Sequence, residues 1–378
     1  MKILHFGSLA AESGGPAYSL SLSVKGMRSL GHECGVLMEP LKRTESLLIE
    51  DATIFYTRRP IIPKFRWIPG MSVLLDQIGS QDLYHIQGLW QLGGHQMCAY
   101  AVRHGVPYVV TLRGMLYPQA MANKSGWGKS LALRFYQAAD LRHAACIQAT
   151  CYEEMDFYRK LGFRNPVAVI PNAVELDDLP EPPVRGRIFR IGYLGRLDSR
   201  KRIERLIYAL SADEFPDKGV ELLIIGSGDA AYEQFLHREM DRLGLRNVTF
   251  TGFLVGKEKW NALRTCTVLA VPSDFENFGN IVLDAMKQGI PVIASRGTPW
   301  RELEEFHCGW WVDNDVETLK ETILGAMRLS PEELMQMGLN GQQLLKKRYE
   351  QLQVARRLEA MYQWVLRRGT PPDFLFEC

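Results

Sequence analysis

Two carboxylates, Glu276 and Asp284, stand eight positions apart in "SDFENFGNIVLDAMKQG", with Gly279, Asn280 and Ile281 between them. On a helix starting near Phe278, eight steps of 100° make two turns and roughly 80°, so the acids lie on adjoining sides about 12 Å apart along the axis. That spacing is poor for gripping one metal ion and suits an extended ligand. The backbone of residues 279, 280 and 281, at a helix N-terminus, would meet an anionic middle portion. Polar, anionic, polar is the order of a ribose, a diphosphate and a hexose.

A second stretch, "GRLDSRKRIERL", follows the strand-like "RIGYL" and opens a helix. Arg196 and Lys201 flank that start, where two cations and free backbone N–H groups could meet one phosphate-bearing ligand. Arg200 and Arg202 make a solvated basic face the competing reading. In "ESGGPAYSL", Gly14 and Gly15 lie between a strand and a helix. They allow either close approach to an anion or a plain tight turn.

Other patterns argue against metals and redox cofactors. "LLIIGSGDAAY" supplies Gly226 and Gly228 but no third glycine of the dinucleotide fingerprint, so no nicotinamide cofactor is expected. Asp313 and Asp315 in "WWVDNDVETL" could face a divalent ion. Their place just before a helix suits turn and N-cap duty better. The eight histidines have no HExxH or paired-ligand spacing, and no metal is expected.

These residues must be positioned by regular elements. Short apolar runs alternate with segments of helical period, the pattern of parallel α/β units. "KILHFG", "ECGVLM", "DLYHIQG", "YVVTLRG", "CIQAT" and "VAVIP" read as strands of a first half, and "FRIGYLGR", "VELLIIGSG", "VTFTGF", "TVLAVPS" and "PVIAS" as strands of a second. The expected fold class is α/β, with two Rossmann-like, doubly wound domains over residues 1–175 and 186–359 and a Pro-rich linker over 176–185. Two such domains facing each other would form a cleft outside the carboxyl ends of their strands. The last helix, "QLQVARRLEAMYQWVLRRG", has Val354, Leu358, Met361, Tyr362 and Val365 on one face and could pack on either domain.

Bulk properties set limits. A chain of 378 residues is long for one core, and 46% hydrophobic with 23% charged residues is ordinary for a globular protein. A net charge of +2 lacks the electrostatic footprint of a nucleic-acid binder, so no nucleic-acid partner is expected. The seven cysteines, at 34, 98, 146, 151, 266, 308 and 378, form no CxxC pair and read as small buried hydrophobes in a reducing compartment. The start reads as a first strand, and no apolar run reaches membrane-spanning length, so a cytoplasmic location is expected.

Taken together, "GRLDSRK" and "PSDFENFGNIVLDAMKQGIPVIAS" resemble the second domain of glycosyltransferase family 4, with its G-R-L-x-x-x-K and E-x7-E patterns. The likeness extends upstream through "DLYHIQGLWQLGG", "VPYVVTLRGMLYPQAM", "IQATCYEEM" and "VIPNAVEL" and covers nearly the whole chain. It implies the GT-B architecture, with a final helix, about 360–378, packing back on the first, acceptor-side domain. It implies a retaining, metal-independent hexosyltransferase that takes its sugar from a UDP-sugar or GDP-sugar, with no cofactor. Arg196 and Lys201 would bind the donor diphosphate, Glu276 the transferred hexose and Asp284 the ribose. Gly279, Asn280 and Ile281 would present backbone to the diphosphate, Gly14 and Gly15 would lie over it, and Phe253 and Leu254 would meet the base.

The chain departs from that family at several points. Asp284 replaces a glutamate and is shorter by one carbon–carbon bond, about 1.5 Å. The usual H-x-H is His85, Ile86 and Gln87, and the usual His-Gly-Met-Leu is Arg113, Gly114, Met115 and Leu116. Arg113 cannot serve as a neutral acid or base and suits a phosphate of donor or acceptor, or else only orders its loop. His85 is kept as a candidate acceptor or phosphate contact. Residues 58–67 interleave Arg58, Arg59, Lys64 and Arg66 with Ile61, Ile62, Phe65 and Trp67, a mix for peripheral contact with the inner face of the cell membrane or for a loop on its own domain. The resemblance implies transfer to a lipid-linked or growing saccharide in polysaccharide assembly, and the membrane alternative implies that the acceptor is lipid-linked. Competing readings are a nucleotide-sugar epimerase of the same fold and a weakly active paralogue that only binds nucleotide sugar.

Overall fold

Apolar, β-branched runs become the strands of two sheets in the computed structural model, which describes residues 1–42, 45–49, 51–61, 67–121, 126–176, 179–183, 186–215, 219–367 and 369–378. The first unit comprises Met1–Glu175 and Tyr349–Cys378, the second Leu176–Arg348. Strands β1 (Lys2–Phe6), β2 (Glu33–Met38), β3 (Thr53–Tyr56), β4 (Leu83–Gln87), β5 (Tyr108–Thr111), β6 (Cys146–Ala149) and β7 (Val167–Val169) belong to the first unit. They lie in the order β7-β6-β5-β4-β1-β2-β3, all parallel. A parallel sheet is buried on both faces, and side chains alternate along each strand. Ile3, Val36, Leu83, Val109 and Cys146 accordingly pack to one side, and Leu4, Leu37, Tyr84, Val110 and Ile147 to the other.

After β1 the chain turns at Gly14, whose φ of 70° suits a residue without Cβ, and enters helix α1 (Gly15–Ser29) with Pro16 in its first turn. The strand order reverses between β1 and β4, so loops at their carboxyl ends diverge and leave room for a ligand.

The second unit repeats this logic with β8 (Phe189–Leu194), β9 (Val220–Ile225), β10 (Val248–Gly252), β11 (Val268–Val271), β12 (Val292–Ser295) and β13 (Gly309–Val312). Their order is β10-β9-β8-β11-β12-β13, with the reversal between β8 and β11. Helices α2 (Ile203–Leu210), α3 (Ala230–Leu243), α4 (Gly256–Arg264), α5 (Asn280–Lys287) and α6 (Val316–Arg328) follow strands of this sheet. One core joins Ile191, Leu222 and Ala270 from the strands to Leu206, Leu236 and Ile323 from the helices.

The chain then returns to the first unit as α7 (Gln351–Val365) and β14 (Leu375–Phe376), which pairs antiparallel with β7. Expected to begin near 360, this return starts at Tyr349, because Val354, Ala355 and Leu358 continue the buried stripe of Met361 and Tyr362. A Cβ on Gly26 of α1 would stand 2.7 Å from the Cβ of Ala355, so glycine permits the close helix crossing. The Gln351 side chain donates to the Leu22 carbonyl at 3.0 Å, and His32 meets Glu359 at 2.8 Å. Residues 176–185, expected as a linker, fall within the second unit where described, with Gln342 donating to the Pro180 carbonyl at 2.7 Å.

Candidate functional site

In the second unit the carboxyl ends of β8 and β11 bring two loops together at the reversal of strand order. Past β8, Gly195 N–H donates to the Ile225 carbonyl at 3.0 Å and Leu197 N–H to the Ser227 carbonyl at 3.1 Å. A Cβ on Gly226 would overlap the carbonyl oxygen of Gly195, and one on Gly228 that of Leu197. The GxG of "IIGSG" therefore serves as a backbone brace under the basic loop, a use its spacing did not reveal. Asp198 caps the short turn Ser199–Lys201, accepting from Arg200 N at 3.0 Å and from its guanidinium at 2.9 and 3.1 Å. Those bonds to Arg200 hold the Asp198 carboxyl down at about 2.

That turn aims Lys201 at Glu276, and the two side chains form an ion pair, both mostly buried. Ser273 Oγ donates to the same Glu276 oxygen at 3.0 Å, and the Glu276 N–H donates to the Gly297 carbonyl at 2.9 Å. Asp274 ties the loops further, its N–H bonding the Arg200 carbonyl at 2.9 Å and its carboxylate meeting Arg202 and Arg205. Arg196 is exposed, and among the described residues it makes no ion pair. Its carbonyl accepts from the Tyr193 hydroxyl at 2.9 Å, which fixes the backbone beneath it.

Glu276 does not lie on the helix with Asp284, contrary to the sequence expectation. Gly279, at φ 79°, breaks the chain direction and caps α5, so the helix begins at Asn280. Trp300 locks this bend by donating its indole N–H to the Phe278 carbonyl. Gly279, Asn280 and Ile281 thus form the N-terminal turn of an eight-residue helix. Asp284 lies farther along it, paired with Lys259 of α4 at 3.1 Å. The Lys259 ammonium also sits 3.7 Å from the centre of the Trp260 ring. Phe253, 73% exposed, and half-buried Leu254 follow β10.

Asp315 is the N-cap of α6, accepting from Thr318 N at 2.9 Å and Oγ1 at 2.7 Å, while Asp313 meets Arg296 at 3.7 Å. Among the described residues, no group of three or more His, Cys, Asp or Glu could hold a metal ion.

In the first unit Gly14 and Gly15 are exposed where α1 begins. Arg113 and Gly114 both take positive φ, 56° and 69°, in the loop after β5. Buried Glu154 pins that loop by accepting from the Gly114 and Thr150 N–H groups. Arg113 donates to Asn172 Oδ1 at 2.9 Å and to Gln87 Oε1 at 2.7 Å. His85 leaves the candidate set. It is fully buried, with Nδ1 bonded to the Tyr362 hydroxyl at 2.6 Å and Nε2 to Thr111 Oγ1 at 2.7 Å, so it offers no face to a ligand. Burial, then His5 and Arg113, push its pKa well below the ordinary histidine value.

Of the segment considered for membrane contact, Arg58 and Arg59 are exposed, as are Ile61 and Trp67, whereas Ile62, Lys64, Phe65 and Arg66 lie outside the described residues. Among the described residues no helix is long and apolar enough to cross a membrane.

Comparison with known proteins assigns both halves. Residues 14–173 match the family described as "Glycosyl transferase 4-like domain", and residues 180–344 match "Glycosyl transferases group 1". A phosphatidyl-myo-inositol mannosyltransferase of Mycobacterium leprae is 34% identical over 132 residues, 33% of this chain and 34% of that protein. Matches of this kind span between 18% and 42% of the curated relatives' own length. Among solved structures, sucrose-phosphate synthase from Thermosynechococcus elongatus superposes with a TM-score of 0.79 at 19% identity, covering 98% of this chain and 100% of that one. HepE from Anabaena, in complex with UDP and glucose, gives 0.74 at 19% identity over 96% and 99%. The fold is that of the GT-B glycosyltransferases.

Proposed function

We propose that this chain, built of two glycosyltransferase domains, is a retaining hexosyltransferase that moves a sugar from a nucleotide-diphosphate donor to an acceptor hydroxyl. The observation that carries this reading is the ion pair of Lys201 and Glu276, assembled from loops 75 residues apart at the strand-order reversal of the second unit. In the reaction the bond from the anomeric carbon to the diphosphate oxygen breaks with its electron pair on that oxygen. The acceptor oxygen bonds the same carbon and passes its proton to the departing diphosphate oxygen. Negative charge therefore grows on the leaving diphosphate, where Lys201 and exposed Arg196 act as preorganised cations. Glu276 accepts hydrogen bonds from sugar hydroxyls, and Asp284 from the ribose. The turn of Gly279, Asn280 and Ile281 faces the diphosphate with backbone N–H groups, Phe253 and Leu254 meet the base, and Gly14 and Gly15 are proposed as further donor contacts.

The UDP and glucose held by HepE support a UDP-sugar as donor. Residues of the chain supply the positive charge, and the proposed transfer needs no metal. We place the acceptor among saccharides or lipid-linked saccharides of polysaccharide assembly, handled at the inner face of the cell membrane. The test is turnover of a UDP-sugar panel by the wild type and by Lys201→Ala. A loss of ~10²- to 10³-fold is expected. Equal turnover by the two would remove Lys201 from the mechanism, and no thermal stabilisation by any UDP-sugar or GDP-sugar would remove the donor class itself.

A further inference from the structure

A cavity of about 300 Å³ lies in the first unit, lined by Ser8, Ser13, Lys42, Glu39, Gln87 and Arg113 among others. Its floor is formed by the carboxyl ends of β1, β2, β4 and β5, beside that unit's reversal of strand order. Its volume falls at the low end of the ~300–1,000 Å³ typical of small-molecule sites. Arg113 is the charge at its base, and its surroundings are unlike those of the second unit's cations.

Arginine in a partly desolvated site normally meets a carboxylate, because an uncompensated charge away from water is costly. Among the described residues Arg113 has no such partner. Its two hydrogen bonds go to the neutral amide oxygens of Asn172 and Gln87, using two of its five N–H donors, and its Nε is buried without an acceptor. Glu154, whose charge acts on Arg113, is committed to the Gly114 and Thr150 backbone N–H groups and the Thr150 hydroxyl. Burial lowers the Arg113 pKa only to about 10, so the cation persists at neutral pH. It also helps depress the histidines beneath it: burial first, then Arg113, brings His5 to about 3. The left-handed backbone at Arg113 and Gly114 is the kind of strain that a binding loop retains.

The rest of the cavity is of mixed character. Lys42 is matched to Glu45, its N–H donating to that carboxylate at 2.8 Å and its ammonium 3.7 Å from it. Glu39 and the Ser8 and Ser13 hydroxyls, the two hydroxyls bonded to each other at 2.9 Å, complete the polar lining. Lys42 and Glu45 offset each other, so a ligand here meets the Arg113 guanidinium, which no carboxylate pairs among the described residues, beside hydroxyl and carboxylate groups suited to sugar hydroxyls.

We propose that this cavity seats the acceptor and that Arg113 selects one bearing a carboxylate or phosphate, such as a uronic acid or a sugar phosphate. This rests on the transferase reading. The donor diphosphate already has Arg196 and Lys201 in the second unit, which leaves the Arg113 charge for a different anion.

The test compares binding of methyl α-D-glucuronide, glucose 6-phosphate and methyl α-D-glucoside to the full-length wild type, Arg113→Gln and Arg113→Lys, each saturated with UDP. Wild type should prefer the better of the two anionic probes over the neutral glucoside by ~10- to 100-fold, the worth of one charge-assisted contact. Arg113→Gln should lose that preference while keeping its UDP affinity within about twofold, and Arg113→Lys should recover part of it. A wild type with no preference for either anionic probe overturns the proposal even if the variants fail to fold. A preference that survives in folded Arg113→Gln, or a ~10-fold drop of UDP affinity in that variant, also overturns it, the latter by assigning Arg113 to the donor. Absence of UDP binding to the wild type would instead count against the transferase reading.

Discussion

At equivalent ends of similar sheets, Lys201 of the second unit and Arg113 of the first are balanced in opposite ways. In the second, Lys201 faces Glu276, Arg200 faces Asp198, Arg202 and Arg205 share Asp274, and Lys259 faces Asp284. In the first, Arg113 is held by amide oxygens alone. The difference is one of reserve. A cation paired with an acid must share its field between that acid and any incoming anion, whereas one clamped by neutral groups keeps more of its charge for a ligand. The first arrangement favours a site whose ligand carries charge that changes during reaction, and the second a site that recognises a fixed charge.

Breaking the pair in the second unit should have the largest effect. Glu276→Gln keeps the shape and removes the charge, so turnover should fall ~100-fold, on the order of the loss of one preorganised contact. UDP affinity should rise at the same time, since Lys201 is released to the diphosphate. Parallel measurement of turnover and UDP binding checks this, and a fall in both would mean the acid is not in balance with Lys201.

Next comes the acid sensitivity of the first unit. His5 is neutral in the folded state, with its pKa depressed to about 3 by burial and Arg113, while the unfolded chain protonates it near 6.5. Below that value the unfolded state binds the extra proton, so stability is full above about 6.5 and is lost as pH falls, approaching ~1.4 kcal/mol per pH unit. Burial gives His85 a shift of the same sign. Urea unfolding at pH 5.5 and 4.5 should yield a steeper loss for wild type than for His5→Asn, and equal slopes would contradict the assignment.

A smaller change is expected for Asp284→Asn, which frees Lys259 and weakens the proposed ribose contact. UDP affinity should fall ~3- to 10-fold, the worth of one ordinary hydrogen bond, because the asparagine oxygen can still accept. The smallest concerns Asp198→Asn. Because its pair with Arg200 is partly exposed, the stability change should stay within ~1 kcal/mol by chemical denaturation.

The sequence made the framework legible where strands are fully buried apolar runs, as in "YVVT", "VLAV" and "VIAS", each inside on both faces. It concealed β3, β13 and β14. "TIFY" has no fully buried residue, "GWWV" draws the eye to the aspartates after it, and β14 has only two residues held by pairing with distant β7. The turn from Glu276 into α5 reads as helix in the sequence because an apolar run carries no mark of the left-handed bend at Gly279. The family likeness singled out Lys201 and Glu276, but only the fold makes them touch. The histidine at 85 resembles a site residue in sequence for the opposite reason: its partner Tyr362 lies 277 residues away, so nothing near it in sequence reveals a core position. The amide clamp on Arg113, the brace of Gly226 and Gly228 and the pairing of Lys259 with Asp284 are likewise contacts between separate loops, which local pattern does not encode.

The return of α7 to α1 has a consequence during synthesis. The second unit is one uninterrupted stretch and can close as soon as Arg348 is free of the ribosome, whereas the first, though begun earlier, lacks Val354, Leu358 and Tyr362 until its last helix emerges. Domains ordinarily fold in the order in which they are made. Here the order is inverted for completion: α1 lacks the cover of α7, and His85 its bond to the Tyr362 hydroxyl, until residues 351–365 have been made.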